Sequence, residues 1–465
     1  MKGGARHGTA GFWRVAFLAL IPFGLALLFW KLHPSLVWDA DSASYVGGWP
    51  MRTATYHLFL KLFYGPLLLP VQLLLFAAAL SWLAIQSSRS LPWLACAAML
   101  AAIAANPYVW ELQASVMSEA LTTPLLTLIV GCILGFAATR RRAPLAVAAL
   151  LCGVMATIRP SLLLFILTPL CALWAGPKVP GRVKLTALIL TAWLAPVIAE
   201  RLYSRAVHGS QLTSPVGRNI FMKGAIIDAP PTTLASPDAL DRRLLAAVNR
   251  DFEPVRQLID RTKDRDVRYI LLSNYEACAG YPCGDSFVES FHVSEAELER
   301  HMLRVGIARL RSNPAAYLEL AASEYQRMFL LHPRKHPELA TKYNAFLARE
   351  SPMPFQSFLG EQGQPTPPDQ QKSLLRFNRA AFALIGILAA LMTVGFALWR
   401  PNRRAEAAFA LLAGTQAVLL FTTLLGVGQP RYAMGMWPSL IAGELLGLMA
   451  LLALRRGSGS AAVRP

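Results

Sequence analysis

Two carboxylates lie close together in Val37-Trp38-Asp39-Ala40-Asp41-Ser42-Ala43-Ser44-Tyr45, with Trp49 shortly after. A positioned carboxylate can take a proton from an attacking hydroxyl or amine, so Asp41 and Asp39 are candidates for base and binding chemistry. The plain alternative is a solvated loop, because Trp and Tyr gather at membrane interfaces without any function. Glu119, in Met117-Ser118-Glu119-Ala120, opens a strongly apolar stretch. A carboxylate at a membrane boundary costs free energy unless it faces protein or water. A first-turn acid is also favoured by the helix dipole.

Arginines supply the complementary charge. Arg159 lies in Ile158-Arg159-Pro160, and Arg431 in Gly428-Gln429-Pro430-Arg431-Tyr432, while Arg376 and Arg379 precede another apolar run. The planar guanidinium fork matches phosphate, so these residues point to a lipid-phosphate site. Snorkelling to lipid headgroups accounts for Arg376 and Arg379 better than for Arg159, which has almost no loop around it. Glu444 falls mid-way along the last apolar run, where internal pairing or protonation is expected. His332 and His336 have i, i+4 spacing, but Pro333 and Pro337 oppose the helix a metal site would need. No phosphate loop, nucleophile elbow or zinc-protease motif is present, so cytosolic nucleotide chemistry has no support.

These residues must be held by membrane helices. The 465-residue chain is 55% apolar and 15% charged, with a mean hydropathy of +0.41. A soluble domain carries about 25% charged residues, so soluble and disordered classes are excluded. Ten segments qualify as spans of roughly 20 residues, some only with their flanks: 12–32, 66–86, 91–105, 117–138, 144–158, 160–175, 185–200, 377–399, 406–426 and 433–454. The first reads as a retained helix rather than a cleaved signal peptide. Pro160 divides the pair at 144–175.

The net charge of +18 then acquires a meaning. With a cytoplasmic N-terminus, sixteen basic residues fall on cytoplasmic segments, among them Arg89, Arg140, Arg141, Arg142, Arg403 and Arg404, against the single acid Glu406. That is the positive-inside pattern of a multi-pass protein, and it removes the case for nucleic acid. Both termini are expected in the cytoplasm. The expected organisation is an N-terminal transmembrane module, 1–200, with a first outside loop at 33–65; an extracytoplasmic insert, 201–376; and a C-terminal transmembrane module, 377–465. The fold class is therefore an all-α polytopic membrane protein of about ten transmembrane helices, with a sizeable α or α+β insert.

Arg52 through Phe63 reads as an interfacial helix. Inside the insert, Ser294-Glu295-Ala296-Glu297 is a capping box opening a helix to about 311. Asn313-Pro314 opens another through about 331. Stretches 228–238 and 352–372 are proline-rich loops. An oxidising compartment allows Cys278 and Cys283 to form a small disulfide. A zinc site there lacks two ligands.

Taken in order, these pieces resemble the GT-C-type integral membrane glycosyltransferases, nearest to the polyprenyl-phosphate-sugar-dependent protein mannosyltransferases and the lipid A aminoarabinose transferases. The resemblance covers the architecture of most of the chain, but only short motifs. Asp41 followed four positions later by Tyr45 matches the acidic motif of the first outside loop, with Ser42 where a second acid often stands. Arg52-Thr53-Ala54-Thr55-Tyr56 is similar to a following Arg-Pro-Pro-x-Tyr run without its prolines. Ser118-Glu119, Arg159-Pro160 and Arg431-Tyr432 resemble elements at the outer ends of later spans; the insert matches nothing.

The Arg- and Ala-rich composition without eukaryotic signals points to a bacterial inner membrane, and the resemblance implies a glycosyltransferase with an extracytoplasmic active site. It would move a sugar, with inversion, from a polyprenyl-phosphate donor to a lipid, glycan or protein acceptor. Asp41 would be the general base, Glu119 would orient the acceptor or share that role, and Arg159 and Arg431 would stabilise the departing phosphate. No cofactor is required by the sequence, and a divalent metal has no sequence support. Expected partners are the donor, membrane lipids and an acceptor of unassigned identity. The rival reading is a polytopic transporter or flippase without transferase activity, which expects polar residues at the midplane. The two readings differ on whether Asp41 and Glu119 meet near Arg159 and Arg431.

Overall fold

The structure is a computed structural model describing residues 9–38, 41–49, 52–176, 180–209, 216–227, 238–264, 267–268, 271–272, 275, 293–329, 337–351, 368–426 and 428–460. For 9–10, 295, 337–343, 368–379, 430 and 455–460 it describes the backbone alone. The Asp39 position, the Cys278–Cys283 pairing and both histidines of the 332–336 pair lie outside the described residues.

Among the described residues the elements are helices, in the order α1 (Thr9–Leu32), α2 (Ser42–Val46), α3 (Ala54–Phe63), α4 (Leu68–Ser87), α5 (Trp93–Ala104), α6 (Pro107–Ala114), α7 (Glu119–Thr139), α8 (Ala143–Ile158), α9 (Leu167–Ala175) and α10 (Arg182–His208). There follow α11 (Val216–Ile226), α12 (Ala239–Asp251), α13 (Glu253–Arg261), α14 (Glu295–Ser312), α15 (Pro314–Met328), α16 (Pro337–Glu350), α17 (Pro368–Leu398), α18 (Arg403–Leu425), α19 (Pro430–Gly435) and α20 (Trp437–Ser460). Seven described helices are long and apolar enough to cross a membrane, so the chain is a polytopic membrane protein. They lie in α1, α4, α7, α10, α17, α18 and α20.

The three remaining apolar segments are also helical but not single long spans. Segment 91–105 forms α5, which is bent by 57° against α6. Asn106 makes the break: it is extended, caps α6 through Tyr108 N at 3.1 Å and precedes Pro107. Segments 144–158 and 160–175 are shorter apolar helices. The second begins as a 3-10 helix, Pro160–Ile166, before becoming α9. Pro169 withholds the N–H that an α-turn ending at Phe165 needs.

The chain divides into two compact units. One comprises Met1–Ser204, Leu384–Val418 and Arg431–Pro465; the other comprises Arg205–Ala383 and Leu419–Pro430. In the first unit, α4 packs on α1 and α7, and α7 on α8. In the second, α11 and α14 pack closely because Gly306 presents no side chain. A Cβ there would stand 2.7 Å from the backbone of Ile220 and Phe221. The surrounding core includes Phe221, Leu244, Val255, Met302 and Val305. The expected caps are made, with Ser294 accepting from Glu297 N at 3.3 Å and Asn313 from Ala316 N at 3.1 Å. Lys223 and Glu324 form a fully buried ion pair of 2.6 Å, and Gly428 N donates to the other Glu324 oxygen at 2.9 Å.

Candidate functional site

The first loop is tied down before any charge is placed. Val37 N donates to Ala114 O at 2.9 Å and Val116 N to Val37 O at 3.0 Å, a single parallel bridge of Val37 with Ser115. This holds the segment entering α2 beside the residues leading into α7. Asp41 is then the N-cap of α2, yet its carboxylate makes no capping bond. An N-cap aspartate ordinarily accepts from the first turn. Here Oδ1 accepts from Arg52 Nη2 at 2.6 Å and Oδ2 from Arg431 Nη2 at 2.8 Å.

Glu119 is the first residue of α7 and almost wholly buried, its side chain 2% exposed against 30% for Asp41. Its Oε1 accepts from Arg159 Nη1, and Arg431 Nε lies 3.6 Å from the same oxygen. Ser118 donates to Oε2 at 3.0 Å and accepts from the Tyr45 hydroxyl at 3.1 Å. Arg52 in turn donates to the Tyr45 hydroxyl at 3.3 Å and lies over its ring at 4.5 Å.

Arg159 reaches Glu119 because Pro160 follows it. A residue before proline is pushed out of the helical region, and Arg159 is extended at φ −146°, ψ 105°. Its guanidinium lies over the Tyr432 ring at 4.0 Å, while Arg431 is 5.6 Å from that ring. Pro430 opens the short helix α19 and sets both residues on its first turn.

The structure thus brings Asp41, Tyr45, Glu119, Arg159, Arg431 and Tyr432 together in one network. Its charges alternate from Arg52 through Asp41, Arg431 and Glu119 to Arg159. Three guanidiniums meet two carboxylates, which leaves one surplus positive charge. Arg52 joins as a member that residue type alone did not single out; its signal was its place in the run Arg52-Thr53-Ala54-Thr55-Tyr56. Glu200 is a further addition, accepting from Ala54 N at 3.3 Å and from Ser204 Oγ at 2.6 Å, and so fixing the start of α3.

Burial alone would raise the Asp41 pKa, but Arg431 and Arg52 outweigh it and hold the carboxyl well below the usual range. Burial pushes the Tyr45 and Tyr56 hydroxyls above their ordinary value, so both remain protonated near neutrality. Tyr45 and Tyr56 meet edge to face at 5.1 Å in an apolar cluster with Leu60, Val116, Met117 and Ile158.

Glu444 stands apart from this site. It is buried, and its Oε1 has no hydrogen-bond partner among the described residues, so the expected internal pairing is not made at that atom. The side chains of Arg376 and Arg379 are outside the described residues. Among the described residues, Asp238, Asp241 and His301 are the group with reach to hold a metal ion. Arg304 already occupies it, donating to Asp238 Oδ2 at 3.2 Å with its Nε 3.3 Å from Asp241 Oδ2.

No family model and no curated protein matches this chain. It is similar to the crystal structure of ArnT from Cupriavidus metallidurans bound to undecaprenyl phosphate. The identity is 13%, with 96% of this chain and 78% of that chain covered, at a TM-score of 0.34.

Proposed function

We propose that the chain is a GT-C-type glycosyltransferase that moves a sugar, with inversion, from a polyprenyl-phosphate donor to an acceptor on the extracytoplasmic face. The observation that carries this reading is the half-buried Asp41 carboxylate held between Arg52 and Arg431, with Arg431 and Arg159 joined at the buried Glu119. A base and several phosphate-matching guanidiniums then lie within one network, as a displacement at a sugar phosphate needs.

In that displacement the acceptor oxygen or nitrogen attacks the anomeric carbon, and its proton passes to Asp41. The bond from that carbon to the phosphate oxygen breaks, and the lipid phosphate leaves with the electron pair. One displacement inverts the anomeric centre. Arg431 and Arg159 stabilise charge growing on the phosphate, and the surplus positive charge suits a site that receives an anion. As Arg431 turns to phosphate its hold on Asp41 weakens, and the carboxylate gains basicity when a base is required. Glu119 is a positioning residue, too buried to meet an acceptor. The charge stabilisation that a metal supplies in other sites is carried by arginine in this reading.

The test offers radiolabelled sugars on undecaprenyl phosphate, one at a time, to the purified full-length protein. Transfer by the wild type and a loss of at least a hundredfold in Asp41→Asn, with unchanged membrane insertion, is the expected result, matching the scale of general base catalysis. Wild-type turnover in Asp41→Asn would sink the assignment of the base. Export of intact donor with no transfer at all would favour the transporter.

A further inference from the structure

A second basic site lies in the first unit, at the opposite end of α7 from Glu119. Helix α7 has 21 residues, about 31 Å at 1.5 Å per residue. Its last turn, with Ala137 and Ala138, lines a cavity of about 250 Å³ together with Arg89 and Ser90 after α4, and Arg403 and Arg404 at the start of α18. Leu446 of α20 also lines it.

None of Arg89, Arg403 and Arg404 has a carboxylate partner among the described residues. Arg404 donates to Ser90 O at 3.3 Å, which ties the two rims of the cavity together. Glu406, the acid nearest in sequence, is taken by Arg140. Asn402 Oδ1 accepts from Arg404 N and Ala405 N at 3.0 and 3.1 Å, so α18 offers its side-chain charges rather than open N–H groups. The carbonyl end of α7 opposes an anion, but with roughly half a charge, against three guanidiniums.

General positive-inside bias explains basic residues on this side, but not their convergence on one cavity. We propose that the cavity binds the phosphate of an anionic phospholipid from the cytoplasmic leaflet. Basic pockets between membrane helices on that side suit such headgroups. Pockets for drug-sized ligands run from about 300 to 1,000 Å³, so this one suits a phosphate headgroup better than a nucleotide. Leu446 and the alanines of α7 provide the apolar wall along which the acyl chains would leave. The site is independent of the transfer chemistry at the other end of α7.

The experiment reconstitutes full-length protein into nanodiscs of phosphatidylcholine with or without phosphatidylglycerol and measures retained lipid by native mass spectrometry. The wild type should retain phosphatidylglycerol in preference to phosphatidylcholine. At about 1 kcal/mol per basic residue, Arg89→Gln, Arg403→Gln and Arg404→Gln should each weaken retention about fivefold, and together on the order of a hundredfold. The triple Arg→Lys protein keeps the charge and should keep most of the preference, which separates binding from folding. Equal retention of both lipids by the wild type, or a preference unaltered in the triple Arg→Gln protein, would overturn the proposal. A parallel arm adds glycerol phosphate to lipid-free protein in detergent. Failure of the soluble compound to bind supports the membrane source, whereas arginine-dependent binding as tight as that of the lipid would overturn it in favour of a soluble phosphate.

Discussion

Asp41 is a carboxylate whose acidity is set by two cations rather than by its loop. Burial raises its pKa, and Arg431 and Arg52 lower it by more. A group with a depressed folded pKa contributes stability above its unfolded value, which is lost as pH falls through the folded one. The same sign governs activity if Asp41 is the base: transfer declines only when the carboxylate is protonated. The acid limb of the wild-type kcat/KM profile, which reports the free enzyme, should therefore lie below the ordinary carboxylate range. Arg52→Gln removes one counter-charge and should move that limb up by about one to three pH units, whereas Arg52→Lys should leave it low. Profiles of kcat/KM against pH that coincide in wild type and Arg52→Gln would refute the coupling. At this scale much of the site was legible, because carboxylates and guanidiniums off the basic face stand out in an apolar chain. Arg52 was visible only within a motif, since its partners are set by how α2 and α3 meet. Asp39 remains a reading of sequence alone.

Helix ends, more than helices, build the site. Asp41, Glu119 and Arg159 each stand at a helix boundary, and Arg431 in the first turn of α19. Pro160 is the device at one of these ends, because it keeps Arg159 extended toward Glu119. In Pro160→Ala that restriction is lifted and α8 is free to run on through Arg159. A displacement of about 1 Å at a reacting centre can cost a hundredfold, so turnover in Pro160→Ala should fall by about that factor while the protein still inserts. Undiminished turnover would show that Arg159 finds its place without the proline. In the other unit, Lys223 on α11 and Glu324 on α15 form a pair with no exposed surface. Lys223→Met removes the ammonium that faces the buried Glu324 carboxylate and should destabilise that unit by about 3–5 kcal/mol, read as a lowered thermal-unfolding midpoint. Lys223→Met with Glu324→Met should recover much of that loss. Long apolar runs and side-chain caps made most helices readable. The Val37–Ser115 bridge was not, because a single pair 78 positions apart leaves no periodicity to read.

For the whole molecule, the decisive quantity is where the charge of +18 lies. Hydropathy makes a multi-pass protein legible, since the cost of burying charge in hydrocarbon leaves few ways to write a span. The bends were harder to read, for they depend on where proline and asparagine interrupt backbone bonding. The pairing of Lys223 with Glu324 had no local signature either, because α11 and α15 are far apart in sequence. Sidedness remains a prediction from the arginines, and α7 offers the means to test it. Glu119 begins this helix and Arg140 ends it in a left-handed conformation at φ 57°. At about 31 Å, α7 matches the thickness of the hydrocarbon core, so its two ends should meet opposite aqueous phases. Trp38, exposed in the first loop, belongs to the Glu119 end through the Val37 bridge, and exposed Arg141 belongs to the other. With Cys278 and Cys283 replaced by serine, Trp38→Cys should react with an impermeant maleimide in intact spheroplasts. Arg141→Cys should react only after the membrane is opened. Labelling of both positions from one side would place Asp41 and the basic cavity on the same face, and both site assignments would then fail together. Reversed labelling would keep the two sites apart but put the Asp41 network in the cytoplasm, where an extracytoplasmic acceptor could not reach it.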